Sequence, residues 1–164
     1  MDRILIEGGI PLTGTLPISG SKNAVLPLMV AALLSDQPVT LRGTPRLADT
    51  RTLASVLREL GAEVEEFGNG PGEGMQVHAG DLSSVRAPYE LVSKMRASFW
   101  VLGPLLARAH KAEVSLPGGC AIGTRPVDLY LKGLSKMGAD ISVEGGYVIA
   151  AAPGGLRRAR IDLP

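Results

Sequence analysis

The chain says nearly the same thing twice. VTLRG at Val39 is echoed by VSLPG at Val114, 75 positions on, and ELGAE at Glu59 by KMGAD at Lys136, 77 positions on. Self-similarity at a nearly fixed spacing marks a repeated structural unit, and a unit that cannot bury its apolar face alone must stack on its copy. In the first copy Ser21, a good N-cap residue, precedes an apolar helix over residues 22–34, which Gln37-Pro38 stops. Residues 39–42 predict a strand. Asp49 or Thr50 is expected to cap a second helix with Leu53, Val56, Leu57 and Leu60 on one face and Gly61 at its end. Residues 63–67 and 75–78 predict two more strands.

The second copy follows the same order. A helix is expected over residues 91–107 with a bend at Pro104, then a strand over 113–116 and a helix over 125–137 closed by Gly138. Residues 141–143 and 147–150 flank Gly145-Gly146, a strong hairpin signal. The unit is therefore helix, strand, helix, strand, strand, and the fold class is α/β. The extra residues of the second copy fall in LPGGCAIGTRPVDL, Leu116 to Leu129. Ahead of the first copy, residues 3–6 and 16–18 predict short strands. Residues 157–164, basic and then apolar, look like the start of another strand and so of a further unit, and the chain looks truncated.

Length and charge narrow the function. The 164 residues suffice for one ordinary domain with a sizeable core. The net charge of +1 implies no general attraction to nucleic acid or an anionic membrane, so any anion must be held by locally placed basic groups. The most apolar stretch, residues 24–34, is too short to span a bilayer and contains Pro27. One cysteine cannot form an internal disulfide, and the N-terminus carries no secretory pattern. A cytoplasmic protein is expected.

The lone cysteine, Cys120, sits in that extra loop among Gly118, Gly119 and Gly123, with Arg125 and Asp128 following. A lone cysteine is most often a small buried hydrophobe. A thiol in a glycine-rich loop beside a guanidinium is instead a candidate for chemistry. Lys22 and Arg96 stand 74 positions apart, each expected near the start of a unit's first helix. A cation there opposes the helix dipole, which makes sense if an anion binds at that end. With Arg125, three cations facing one cavity would suit a substrate with more than one phosphate or carboxylate. His78 and His110 lack metal-ligand spacing, and Trp100 is expected as core or pocket wall.

GSKNA at Gly20, MRASFWVLGPLLAR at Met95 and LPGGCAIGTRPVDL at Leu116 together resemble the UDP-N-acetylglucosamine enolpyruvyltransferase family. The resemblance implies an inverted α/β, barrel-like domain with its helices inside, built from three such units and joined to a second domain. It divides the chain into residues 1–19, strands packing with the second domain, and residues 20–164, a partial catalytic domain. Within that domain repeat one spans about 20–80, repeat two about 91–152, and a further unit begins at 157–164. The implied activity transfers the enolpyruvyl group of phosphoenolpyruvate to the 3′-hydroxyl of UDP-N-acetylglucosamine, releasing phosphate, at the first committed step of peptidoglycan synthesis, with no metal or organic cofactor.

By the same resemblance Lys22 and Asn23 hold phosphoenolpyruvate and take part in catalysis. Arg96 binds the sugar nucleotide, Arg125 grips phosphate, and Pro126, Val127, Asp128 and Leu129 line the uridine diphosphate. Cys120 is both the acid towards the methylene carbon and a thiol that can bond phosphoenolpyruvate covalently or be alkylated by fosfomycin. The family's aspartate base and a further arginine lie beyond this chain. The partner implied is therefore the C-terminal remainder of the same protein, and the isolated 164 residues are expected to turn over negligibly. The sister enolpyruvyltransferase acting on shikimate 3-phosphate, a non-catalytic sugar-nucleotide sensor and a purely structural fragment are the alternatives.

Overall fold

The computed structural model describes residues 3–69, 73–118 and 127–162. The first copy is α1 (Lys22–Ala31), extended by a 3-10 turn (Ala32–Leu34), then β1 (Val39–Arg42), α2 (Ala48–Glu59), β2 (Glu63–Phe67) and β3 (Gly74–His78). The second opens with a two-residue strand β4 (Arg86–Ala87) and a short helix α3 (Tyr89–Val92). A 3-10 segment (Arg96–Val101) and α4 (Leu102–Ala109) follow, then β5 (Lys111–Ser115), α5 (Asp128–Lys136), β6 (Asp140–Glu144) and β7 (Tyr147–Ala151).

Each copy folds its three main strands into one antiparallel sheet of the same order. β3 lies between β1 and β2, and β7 lies between β5 and β6. β4 adds a parallel edge to β5, as a strand can when a helical crossover separates the pair. The sheets do not close into a barrel among the described residues; they are separate sheets of three and four strands. Helices pack on the inner face of each, and one aliphatic core runs through both copies, with Met29, Leu33, Leu53, Leu57, Val77, Phe99, Leu102, Leu105, Leu106 and Val114 all at most 2% exposed.

The pairing corrects the sequence alignment of the two copies. Glu63 and Asp140 begin β2 and β6 and face His78 and Ala151. Through the central strands, Val39 then stands where Ala112 does, not where Val114 does. The slip is two residues. A strand repeats its facing every two residues, so the same side chains still point inward and sequence similarity cannot detect the shift.

The long helix expected over residues 91–107 is broken. Met95 is extended at φ −155° and ψ 123°, and α3, the 3-10 segment and α4 follow one another instead. Pro104 causes no bend: it lies in the first turn of α4, where its missing N–H costs nothing. Neither Asp49 nor Thr50 is the N-cap of α2. Leu47 is, and the buried Thr50 hydroxyl accepts from the Leu47 N–H at 3.1 Å and donates back to the Leu47 carbonyl at 2.8 Å. The helix expected from Arg125 starts at Asp128 among the described residues.

Residues 3–20 form no strand or helix, against the expectation for 3–6 and 16–18. A strand needs a partner for its N–H and C=O groups, and nothing among the described residues supplies one. Ile4, Leu5, Ile6, Ile10, Leu12, Leu16 and Ile18 are each at least 76% exposed. The start of another strand expected within residues 157–164 is likewise not formed over the described residues 157–162.

A candidate anion site where two helices begin

Lys22 and Asn23 are the first two residues of α1 and both are exposed. Ser21 occupies the N-cap position with extended backbone, but its hydroxyl caps nothing, so no side-chain oxygen competes for the first N–H groups of the helix. Pro27 lies inside α1 and has no N–H, which leaves the Asn23 carbonyl without its i+4 donor. The first N–H groups of α1 are thus left without a side-chain cap.

Lys22 is held in place from the neighbouring helix. Its Nζ lies 2.8 Å from Oδ2 of Asp49, the second residue of α2, with the two side chains 49% and 36% exposed. α1 and α2 pack directly on each other. The approach is set by Gly20, where a Cβ would fall 1.9 Å from the carbonyl oxygen of Gly43 and 3.4 Å from Cδ of Pro45. Gly43 turns the chain between β1 and α2 at φ +69°, a region open to glycine. Gly20→Ala is therefore expected to push the start of α1 off this turn. The predicted cost is about 1–3 kcal/mol of stability, as for other overpacking changes, read by urea denaturation.

Arg96 opens the 3-10 segment of the second copy and is half-buried. With Phe99, Trp100, Val127 and Tyr130 it lines a cleft of about 70 Å³. Tyr130 builds the cleft wall. Its hydroxyl accepts from the Gly103 N–H at 3.1 Å and donates to the Trp100 carbonyl at 3.2 Å, while its ring meets Phe99 edge-on with centroids 6.0 Å apart. Burial pushes the Tyr130 phenol above its usual range, and the Gly103 hydrogen bond offsets only part of that. A raised phenol pKa means that the folded state keeps its proton where the unfolded chain has begun to lose it. This contribution to stability is full below about pH 10 and declines as pH rises through the folded value. Tyr130→Phe is expected to cost about 1 kcal/mol at neutral pH and to flatten the alkaline fall in stability, both read by denaturant titration at several pH values.

The helix break at Met95 has a use here. A Cβ on Gly118 would lie 2.9 Å from the Ser93 carbonyl oxygen, so the chain leaving β5 passes directly over the end of α3, just ahead of the break. On the far side of the 119–126 segment, Val127 rests in the cleft with Arg96. Both flanks of that segment therefore meet the stretch from Ser93 to Trp100, and α1 packs against the same 3-10 segment. Cys120, Arg125 and Pro126, singled out by sequence, lie outside the described residues. Asp128 is the first residue of α5, and Leu129 is 41% exposed. Leu129 lines an open apolar groove of about 470 Å³ with Tyr130, Gly133, Leu134, Met137 and Ile161, Tyr130 being common to it and the cleft. Trp100 is a pocket wall, as one of its two expected places had it. His78 is a part-exposed strand residue 3.4 Å from Glu63.

Sequence reasoning missed Asp49 as the partner of Lys22, Tyr130 as the cleft wall, and Arg108. The last reaches from α4 into the first copy, donating to the carbonyls of Leu33 at 3.1 Å, Ser35 at 3.3 Å and Gly80 at 3.0 Å, and to that of Ala79. The LARA context of Arg108 carries no signal of this.

Two paired α/β repeats with helices packed against antiparallel sheets are the fold of the enolpyruvyl transferases. The solved enolpyruvyl transferase NikO from Streptomyces tendae superposes with a TM-score of 0.71 at 24% identity, over 89% of this chain and 31% of that one. EPSP synthase from Acinetobacter baumannii gives a TM-score of 0.59 at 18% identity, over 87% of this chain and 32% of that one. The family model for EPSP synthase (3-phosphoshikimate 1-carboxyvinyltransferase) matches residues 6–164, and the chain belongs to that family. Among curated relatives, UDP-N-acetylglucosamine 1-carboxyvinyltransferase of Rhodopseudomonas palustris (strain BisA53) is 57% identical over 170 residues, covering 100% of this chain and 40% of the relative. The protein of the same name from Nitrobacter hamburgensis is 55% identical over the same span. The chain thus spans about 40% of the length of the curated relatives it matches.

Proposed function

We propose that this chain carries part of the catalytic domain of a transferase that moves the enolpyruvyl group of phosphoenolpyruvate to the 3′-hydroxyl of UDP-N-acetylglucosamine, releasing phosphate, for peptidoglycan synthesis in the cytoplasm. The observation that carries the reading is identity of 55–57% over the whole chain to proteins named for that reaction. The fold and the uncapped start of α1 with its lysine support it.

In this reading Lys22 and Asn23 take the phosphoenolpyruvate. Arg96 and the cleft beside it, with Val127 and Asp128 at its edge, take the sugar nucleotide. Leu129, which lines the apolar groove beside Tyr130, completes the uridine diphosphate contacts. Cys120 delivers a proton to the methylene carbon, and positive character builds at C2. The sugar hydroxyl attacks C2 and loses its proton. Departure of phosphate, with loss of a methyl proton, then restores the double bond on the new ether. A free thiol, with an ordinary pKa of about 8.5, is protonated at neutral pH and can serve as that acid. Arg125 grips phosphate, and Pro126 follows it along the diphosphate. Residues 1–19 pair with the part of the protein beyond this chain, which also brings the base. Seven well-exposed aliphatic side chains between Ile4 and Ile18 are the support for that pairing.

The matched family description names 3-phosphoshikimate as acceptor, and this keeps the sister reaction as the second reading. The two are separated by competition. The complete protein, given phosphoenolpyruvate with equal UDP-N-acetylglucosamine and shikimate 3-phosphate, is expected to consume only the sugar nucleotide. Consumption of shikimate 3-phosphate would reverse the assignment.

A further inference from the structure

We infer that Asp49 is a positioning residue for phosphoenolpyruvate binding, acting through Lys22; the inference rests on the proposed role of Lys22 at the start of α1. Four observations converge on it. The ammonium of Lys22 sits in the first turn of α1, the end where a cation is least welcome to its own helix. Yet that side chain is docked at 2.8 Å on a carboxylate from a different helix. Asp49 is in turn held at the start of α2, where the helix dipole favours a carboxylate, behind a turn that the buried Thr50 hydroxyl ties to the Leu47 and Pro45 carbonyls. The Gly20 to Gly43 approach brings the two helix starts together.

A lysine has four rotatable bonds and, unlike arginine, no planar fork to orient it. Left alone at a half-exposed position, its ammonium would sample solvent. Asp49 restricts it to the space between the starts of α1 and α2. The carboxylate also lowers the net positive charge there, so the site holds its lysine ready without needing a bound anion to order it. An anionic substrate then meets an ammonium already in place, and the ordering cost is removed from its binding.

The test is Asp49→Asn in the complete protein, with Asp49→Glu as the conservative variant and Lys22→Gln as the background. Asparagine keeps the size and polarity at the start of α2 and removes only the charge. Phosphoenolpyruvate affinity by titration calorimetry is expected to fall about tenfold, consistent with losing one charge-assisted hydrogen bond. The KM for the sugar nucleotide should stay within about twofold, and Asp49→Glu should recover part of the loss. In the Lys22→Gln background, Asp49→Asn should change phosphoenolpyruvate affinity no further, since the two residues act as one unit. Unchanged affinity in a protein that does transfer the enolpyruvyl group overturns the inference alone. So does an equal loss for both substrates, or an equal loss with Lys22 absent. A protein that shows the expected affinity pattern yet transfers nothing overturns the proposed reaction and keeps the pair's role. No phosphoenolpyruvate binding by the unaltered protein overturns both.

Discussion

Cys120→Ala in the complete protein is expected to cut phosphate release from phosphoenolpyruvate by roughly 10²–10⁴-fold, the usual share of a positioned general acid. Phosphoenolpyruvate affinity should change only a few-fold, because a proton donor to the methylene carbon acts in the transition state and not in ground-state binding. The fall in kcat should therefore nearly equal the fall in kcat/KM. The physical basis is the placement of the segment's two flanks. Gly118 lies on Ser93, Val127 lies beside Arg96, and α1 packs against the 3-10 segment that Arg96 opens. A loss below about threefold would return Cys120 to the ordinary role of a small apolar residue.

Arg108→Met is expected to destabilise the fold by roughly 3 kcal/mol, with a fall in Tm of about 10 °C. One guanidinium donates to four backbone carbonyls at the ends of the first copy's 3-10 turn and β3. Methionine keeps the length and the apolar stem but leaves those carbonyls short of a donor in a partly buried place. Because the clip joins the second copy to the first, the loss should fall on the association of the two repeats. Arg108→Lys is expected to recover only part of the stability, since an ammonium lacks the planar fork that spans several carbonyls. Urea denaturation with a far-ultraviolet probe measures both variants. A cost under about 1 kcal/mol for Arg108→Met would show that water replaces the guanidinium at little expense.

The repeat was legible because its punctuation is local. Gly61 ends α2's turn at φ +101° and Gly138 ends α5's at φ +98°, and the Gly145-Gly146 hairpin has both residues at positive φ, as its turn requires. Lys22 and Arg96 stood out for the same reason, as cations at positions where a helix of its own accord disfavours them. What was not legible depends on contacts distant in sequence. The break at Met95 is invisible in MRASFWVLGPLLAR, whose Gly and Pro lie two turns beyond it; the place where Gly118 crosses over Ser93 is known only from the fold. Asp49 looked like a helix cap because Asp near a helix start usually is one. Its carboxylate instead faces Lys22 on another helix. Residues 3–6 and 16–18 have the composition of strands, but strand formation is a property of a pair. The two-residue slip between β1 and β5 preserves facing and therefore composition.

The most direct measurement is phosphate release from phosphoenolpyruvate by the complete protein, made with and without UDP-N-acetylglucosamine. Release that requires the sugar nucleotide, is not supported by shikimate 3-phosphate and disappears in Cys120→Ala is the predicted result. Absence of release with either acceptor, from a folded protein that binds the sugar nucleotide, would contradict the transferase reading and leave a binding protein that kept the fold without the reaction.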